Sequence, residues 1–296
     1  MPLLGELSAL LTAFLWSVTS MLFAAATIRI GSVQLNVSRQ LIAIIILSML
    51  IFPFQIEYSL SGSQIFYLAI SGLFGLAFGD SFLFKAYQQI GARVSMLIMS
   101  SAPIISAILA YFILNEIIYI WGIVGMLITI GGIALVVLER KESNSSTKKF
   151  NYLGIFFGFL GAAGQGVALI FAKLAFNEGS INGLVATIVR LISSIIILLP
   201  ITLLFGKFKN PVKVFKSDTK ALSLTIGGSI AGPVLGITFS LIAIANAKVG
   251  IAATIMGTVP VIMLPLVKYF YKEELSWRAI LGALITVAGV AILFLR

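Results

Sequence analysis

Ten runs of about twenty apolar residues follow one another along the chain, at 5–28, 34–54, 64–84, 93–113, 118–138, 151–174, 183–205, 221–243, 250–271 and 277–295. About 20 such residues wound as a helix cross the hydrocarbon core of a bilayer. The expected fold is therefore an all-α integral membrane protein with ten transmembrane helices. Most intervening loops are short, the exceptions being 139–150 and 206–220. Composition agrees: 60% of residues are hydrophobic, 10% are charged and the mean hydropathy is +1.12. A soluble domain is typically about 45–50% apolar and about 25% charged. The first run has no Lys or Arg before Arg29. Lacking a basic leader region, it is expected to be a span rather than a cleaved signal.

The residue inventory removes whole classes of chemistry. The chain has no Cys and no His. That excludes disulfides, Cys or His nucleophiles and His/Cys metal sites, so no metal and no other cofactor is expected. Asp80 and Asp218 are the only aspartates, and Asp218 lies in a Lys-rich loop, so no intramembrane aspartyl pair exists. No phosphate-cradling G-x-x-x-x-G-K-[ST] stretch occurs. A membrane-embedded enzyme is thus not expected. The net charge of +10 comes from Lys and Arg flanking spans, so it does not imply a nucleic-acid partner. Of the 20 basic residues, Lys173, Arg190, Lys248 and Arg296 fall toward the face holding both termini and the others toward the opposite face. The positive-inside bias then predicts a multi-pass plasma-membrane protein with both termini outside.

The second half repeats the first. At a constant offset of 157, residues 84–139 match 241–296 without a gap. Pro103 meets Pro260, Glu116 meets Glu273, Gly125 meets Gly282, Thr129 meets Thr286 and Gly132 meets Gly289. The same offset pairs Gly75 with Gly232 and Gly79 with Gly236. Nearer the N-terminus it shrinks to 151, pairing Arg39 with Arg190, and to 149, pairing Gly5 with Gly154. The domains read as a first five-helix repeat over 1–139, a linker over 140–150 and a second repeat over 151–296. Five is odd, so the second repeat starts on the opposite side and is inverted. Inverted repeats are characteristic of secondary transporters, with the substrate site near the midplane between halves.

On these residues the chain resembles the EamA-type ten-helix transporters of the drug/metabolite transporter superfamily. The matching features are "AFLWSVTS" at 13–20, the Arg of helices 2 and 7, and the run from Pro103 through "LNEIIYIWGIVGMLITIGGIALVVL". The second copy runs from Pro260 through "YKEELSWRAILGALITVAGVAILFL". The chain departs from the family's G-E dipeptide at Asn115-Glu116 and Lys272-Glu273, and Gln165 stands where the first half has Trp16. The resemblance implies export or exchange of small metabolites such as amino acids, nucleobases or organic cations. It also implies cytoplasmic termini, opposite to the charge count.

Candidate site residues follow from polarity and depth. Trp16 and Gln165 are repeat partners near the midplane. A buried amide needs partners, so Gln165 is a substrate-binding candidate with Trp16. Ser101 and Thr258 are weaker candidates, because a hydroxyl can bond its own helix backbone. Arg39 and Asp80 lie at similar depth in the same leaflet and are expected to form an ion pair. Asp80 is alternatively a proton- or cation-coupling carboxylate. Arg190 has no matching acid, because Asp80's repeat partner is Ile237, so it is a candidate for an anionic substrate group. The remaining motifs read as structural. Gly75, Gly79, Gly232 and Gly236 allow close helix approach. Glu116 and Glu273 cap the helices that follow them. Pro103 and Pro260 kink helices 4 and 9. The expected function is a secondary transporter of small metabolites or drugs, monomeric, with a cavity lined by helices 1, 3, 4, 6, 8 and 9. The alternatives are a lipid or lipid-linked sugar flippase and a non-transport membrane protein.

Overall fold

The computed structural model describes residues 3–54, 59–138, 151–271 and 276–295. Their regular structure is all helical, with no strand among them. The first half holds α1 (Leu4–Ile30), α2 (Ser32–Ile51), α3 (Gly62–Gly72), α4 (Asp80–Met99), α5 (Ala102–Leu114) and α6 (Ile120–Leu138). The second holds α7 (Tyr152–Asn177), α8 (Gly183–Leu204), a surface helix α9 (Pro211–Ser217), α10 (Thr219–Ser229), α11 (Ile237–Asn246), α12 (Val249–Met256), α13 (Val259–Tyr271) and α14 (Trp277–Leu295). Among the described residues, seven helices are long and apolar enough to cross a membrane: Leu4–Ile30, Ser32–Ile51, Gly62–Ala92, Tyr152–Asn177, Gly183–Leu204, Thr219–Asn246 and Val249–Leu266. Three further apolar helices, Ala102–Leu114, Ile120–Leu135 and Ile280–Ile292, are shorter.

Polar side chains set the helix ends. Ser61 and Gln64 form a reciprocal capping box at α3, and Asn151, Asn182, Asn210 and Asp218 cap α7, α8, α9 and α10. Each side chain satisfies N–H groups that the helix leaves free. Sharp turns need positive φ at Gly31 (82°) between α1 and α2, and at Gly91 (77°), which breaks α4. Bulky apolar side chains such as Ile28, Phe112 and Leu204 remain exposed on the outside of the bundle, as a lipid-facing surface requires.

Two π-helical stretches join α3 to α4 (Leu73–Gly79) and α10 to α11 (Ile230–Gly236). They coincide with the duplicated glycines. In the first, the Asp80 N–H bonds the Gly75 carbonyl, five residues back. Each stretch packs against the first helix of the other repeat. A Cβ on Gly236 would lie 2.7 Å from Trp16 Nε1, and one on Gly232 would lie 2.7 Å from the Thr19 methyl. The repeat-related contacts are Gly79 on Gln165 and Gly161, and Gly75 on Ala168 and Gln165. Ser71 adds a hydrogen bond to the Ala168 carbonyl at 2.6 Å. α1 is thus held by the second repeat and α7 by the first.

The prolines do not kink continuous helices, as the sequence suggested. The chain breaks just before each, between α4 and α5 at Ser100–Ser101 and between α12 and α13 at Gly257–Thr258. Pro103 and Pro260 then fall in the first turn of the next helix, where a missing N–H costs nothing. The two breaks meet: Ser100 Oγ donates to the Gly257 carbonyl at 3.3 Å. These positions are repeat partners, so their contact marks the pseudo-two-fold axis. α6 and α14 pack on each other, and a Cβ on Gly132 or Gly289 would fall within 3 Å of the partner backbone.

Glu116 also differs from expectation. Asn115, at φ 52°, closes α5, and the Glu116 carboxylate accepts from the Val249 N–H at 2.8 Å. It caps α12 of the other repeat rather than α6, which follows it. Lys248 Nζ donates to the Ile117 carbonyl at 2.5 Å, and Lys173 Nζ donates to Ile244 O at 2.6 Å at the C-terminus of α11. Burial raises the Glu116 carboxyl, against the pull of the Val249 N–H and the two lysines. At the opposite end Arg29 pairs with Asp218 at 2.7 Å, and the Gln34 amide exchanges two hydrogen bonds with the Lys209 backbone. Glu273 lies outside the described residues.

Candidate functional site

A cavity of about 80 Å³ lies where the two repeats meet. Its lining includes Trp16, Arg39, Asp80 and Tyr87 from the first repeat and Gln165, Arg190, Pro233, Ile237 and Ser240 from the second. A smaller apolar pocket of about 40 Å³ adjoins it toward the two helix breaks and shares Trp16, Met96, Met99 and Gln165. The expected lining from helices 1, 3, 4, 6, 8 and 9 is therefore incomplete. The second helix of each repeat also reaches the cavity, through Arg39 on α2 and Arg190 on α8.

Arg39 is held from every side. It is 3% exposed and forms an ion pair with Asp80. Its Nε and Nη2 donate to Asn36 Oδ1 at 3.1 and 2.9 Å. Phe84 and Phe23 cover its faces, with ring centroids 4.9 and 5.6 Å from the guanidinium carbon, a favourable cation–π arrangement. Asn36 is held in turn: its amide donates to the Leu76 carbonyl at 3.2 Å and to Ser81 at 2.9 Å. The π-stretch, the ion pair and α2 are thereby one polar network. Thr187 and Thr238, repeat partners of Asn36 and Ser81, bond each other at 3.0 Å in the second half.

Arg190 is equally buried, at 1% exposure, and faces the same cavity. It makes no side-chain hydrogen bond or ion pair with any described residue, and its Nε is fully buried without a partner. Gln165 is half-buried beside it. Trp16 faces both pockets. Ser101 and Thr258 line neither. Each donates to a carbonyl in the last turn of the helix before it, Ile98 O and Ile255 O, at 2.7 Å. The neighbours Ser100 and Gly257 face the smaller pocket instead. Sequence reasoning missed Asn36, Thr19, Phe23, Phe84, Tyr87 and Ser240. Only Asn36 carried a signal, as an amide three residues before Arg39 and so on the same helix face.

An all-helical bundle of two repeat-related halves, with long apolar helices and a charged cavity between the halves, is the architecture of a multi-pass membrane protein. The family model of the EamA-like transporter family matches residues 3–138 and again 152–295. The chain belongs to that family, within the drug/metabolite transporter superfamily. A solved crystal structure is similar over 99% of this chain and 96% of its own, with a TM-score of 0.76 and 15% identity, a likeness of fold. No curated protein matches the chain.

Proposed function

We propose that the protein is a secondary transporter, an exporter or exchanger of small metabolites, working by alternating access through the central cavity. In this reading the seven long helices and three shorter ones form ten spans in two inverted five-helix repeats. The protein is monomeric and sits in the plasma membrane with both termini outside. The observation that carries the reading is the cavity itself: both repeats wall it, and buried charges from both face it. A site on the pseudo-two-fold axis can open to either side by rocking one repeat against the other. Charged groups at that depth are costly, and in membrane proteins they mark substrate and ion pathways.

The same reading gives Asp80 a coupling role. It is the carboxylate among the cavity's charges, and protonating it would release Arg39. Counterflow of a metabolite mixture in proteoliposomes under an imposed pH gradient tests both claims. Accumulation by the wild type supports transport. Asp80→Asn should then equilibrate substrate without gradient-driven accumulation. Coupled uptake by Asp80→Asn at the wild-type rate would remove Asp80 from the coupling step. No flux of any component above protein-free vesicles would remove the transport reading.

A further inference from the structure

Arg39 and Arg190 occupy the same place in the two repeats, yet their surroundings differ. Arg39 has a carboxylate, an amide oxygen and two aromatic faces. Arg190 makes no such direct contact among the described residues: the Asp80 carboxylate, committed to Arg39, acts on it only across the cavity, and Gln165 lies near it without a hydrogen bond. The position that holds Asp80 in the first repeat holds Ile237 in the second. The other described acids lie away from the cavity: Asp218 pairs with Arg29, Glu116 caps α12, Glu178 bonds Ser63, and Glu6 is in the first turn of α1. The cavity therefore carries two guanidinium groups against one carboxylate. A guanidinium does not shed its proton to escape burial, and an unbalanced charge inside a span is costly.

We propose that Arg190 anchors the single negative charge of the substrate, which is a small organic monocarboxylate with an apolar body. The guanidinium fork matches a carboxylate in shape and offers paired N–H donors. Room for it comes from Gly75: a Cβ there would sit 3.0 Å from Arg190 Nη2 and 3.6 Å from Gln165 Oε1. The Gln165 amide is beside the fork and supplies a further polar contact. Trp16, Leu83, Met96 and Met99 offer the apolar wall for the rest of the ligand. A monoanion brings the site to neutrality, whereas a zwitterion or a cation leaves it charged. Translocation of this ligand rests on the transporter reading, but its binding does not.

Calorimetry on the detergent-purified full chain tests the binding. The probes are isobutyrate and phenylacetate, with phenylacetamide as the neutral and phenethylammonium as the cationic isostere of the latter. A monocarboxylate should bind at least about tenfold more tightly than the isosteres, as a charge-assisted hydrogen bond implies. Arg190→Gln should lose that preference. Ile237→Asp places a carboxylate where the repeat puts Asp80, giving Arg190 an internal counter-ion. This variant should stay folded, with an unchanged or higher melting temperature, and should also lose monocarboxylate binding. Isosteres that bind as well as phenylacetate overturn the proposal, as does undiminished phenylacetate binding by Ile237→Asp. So does failure of both carboxylates to bind the wild type. Counterflow separates this from the broader reading. Binding of phenylacetate with no flux of it or of any metabolite in the mixture would sink transport and leave the anion site standing. Movement of phenethylammonium without carboxylate binding would do the reverse.

Discussion

At the scale of single residues, the Arg39–Asp80 pair joins chemistry to architecture. Asp80 closes one π-stretch, and two residues of α2 tie that helix to it, Arg39 through the ion pair and Asn36 through the Leu76 carbonyl. Removing one member of such a buried pair leaves an unbalanced charge, which costs roughly 3–5 kcal/mol. Asp80→Asn should therefore lower the thermal midpoint clearly. The double variant Arg39→Gln/Asp80→Asn should be less destabilised than the sum of the single changes, because neither charge is then stranded. Additive losses in thermal unfolding would mean the two side chains do not depend on each other. The pairing was legible in the sequence because depth along a helix is countable. The aromatic cover of Arg39 was not, because Phe23 and Phe84 are two of 22 phenylalanines in an apolar background.

At the scale of elements, two glycine-built π-stretches and two helix breaks, each followed by a proline, shape the cavity. The glycine spacing was visible, and with it the close packing. The widening to π geometry was not, because a glycine every fourth residue reads the same for both helices. Gly236→Ala should destabilise by about 1–3 kcal/mol, since its Cβ would meet Trp16 at 2.7 Å. Gly131→Ala is the control: nothing lies within 4 Å of a Cβ there, and thermal stability should hold or rise slightly. Equal effects of the two changes would contradict the packing described. The breaks were misread as kinks because a proline inside an apolar run looks the same whether the helix continues past it or restarts at it. Glu116 was misplaced for a related reason. Its capping chemistry is local, but its partner Val249 is 133 residues away. Glu116→Ala should cost about 1 kcal/mol as a lost cap. Glu116→Gln should keep most of it, because the amide oxygen can still accept from the Val249 N–H. A thermal midpoint falling as far in Glu116→Gln as in Glu116→Ala would remove the cap.

At the scale of the whole molecule, the repeat is the property the sequence displayed best. Pro, Gly and Glu recur at one offset, and the folded chain brings repeat-related residues such as Ser100 and Gly257 together. The interlocking of the halves was hidden. That α1 belongs with the second repeat and α7 with the first rests on Gly-to-side-chain contacts that pairwise matching of sequence cannot express. Under the orientation proposed from the Lys/Arg bias, alkaline phosphatase fused after the last residue should be active outside the membrane, and a fluorescent protein fused there should stay dark. The opposite pattern would place the termini inside. The claim most exposed to a single measurement is that the cavity between the repeats opens to both sides. The chain has no native cysteine, so Ser240→Cys reports from the cavity wall alone. Alternating access predicts that this thiol reacts with a membrane-impermeant maleimide in right-side-out and in inverted vesicles. Labelling from one side only, under every ligand and gradient applied, would contradict it.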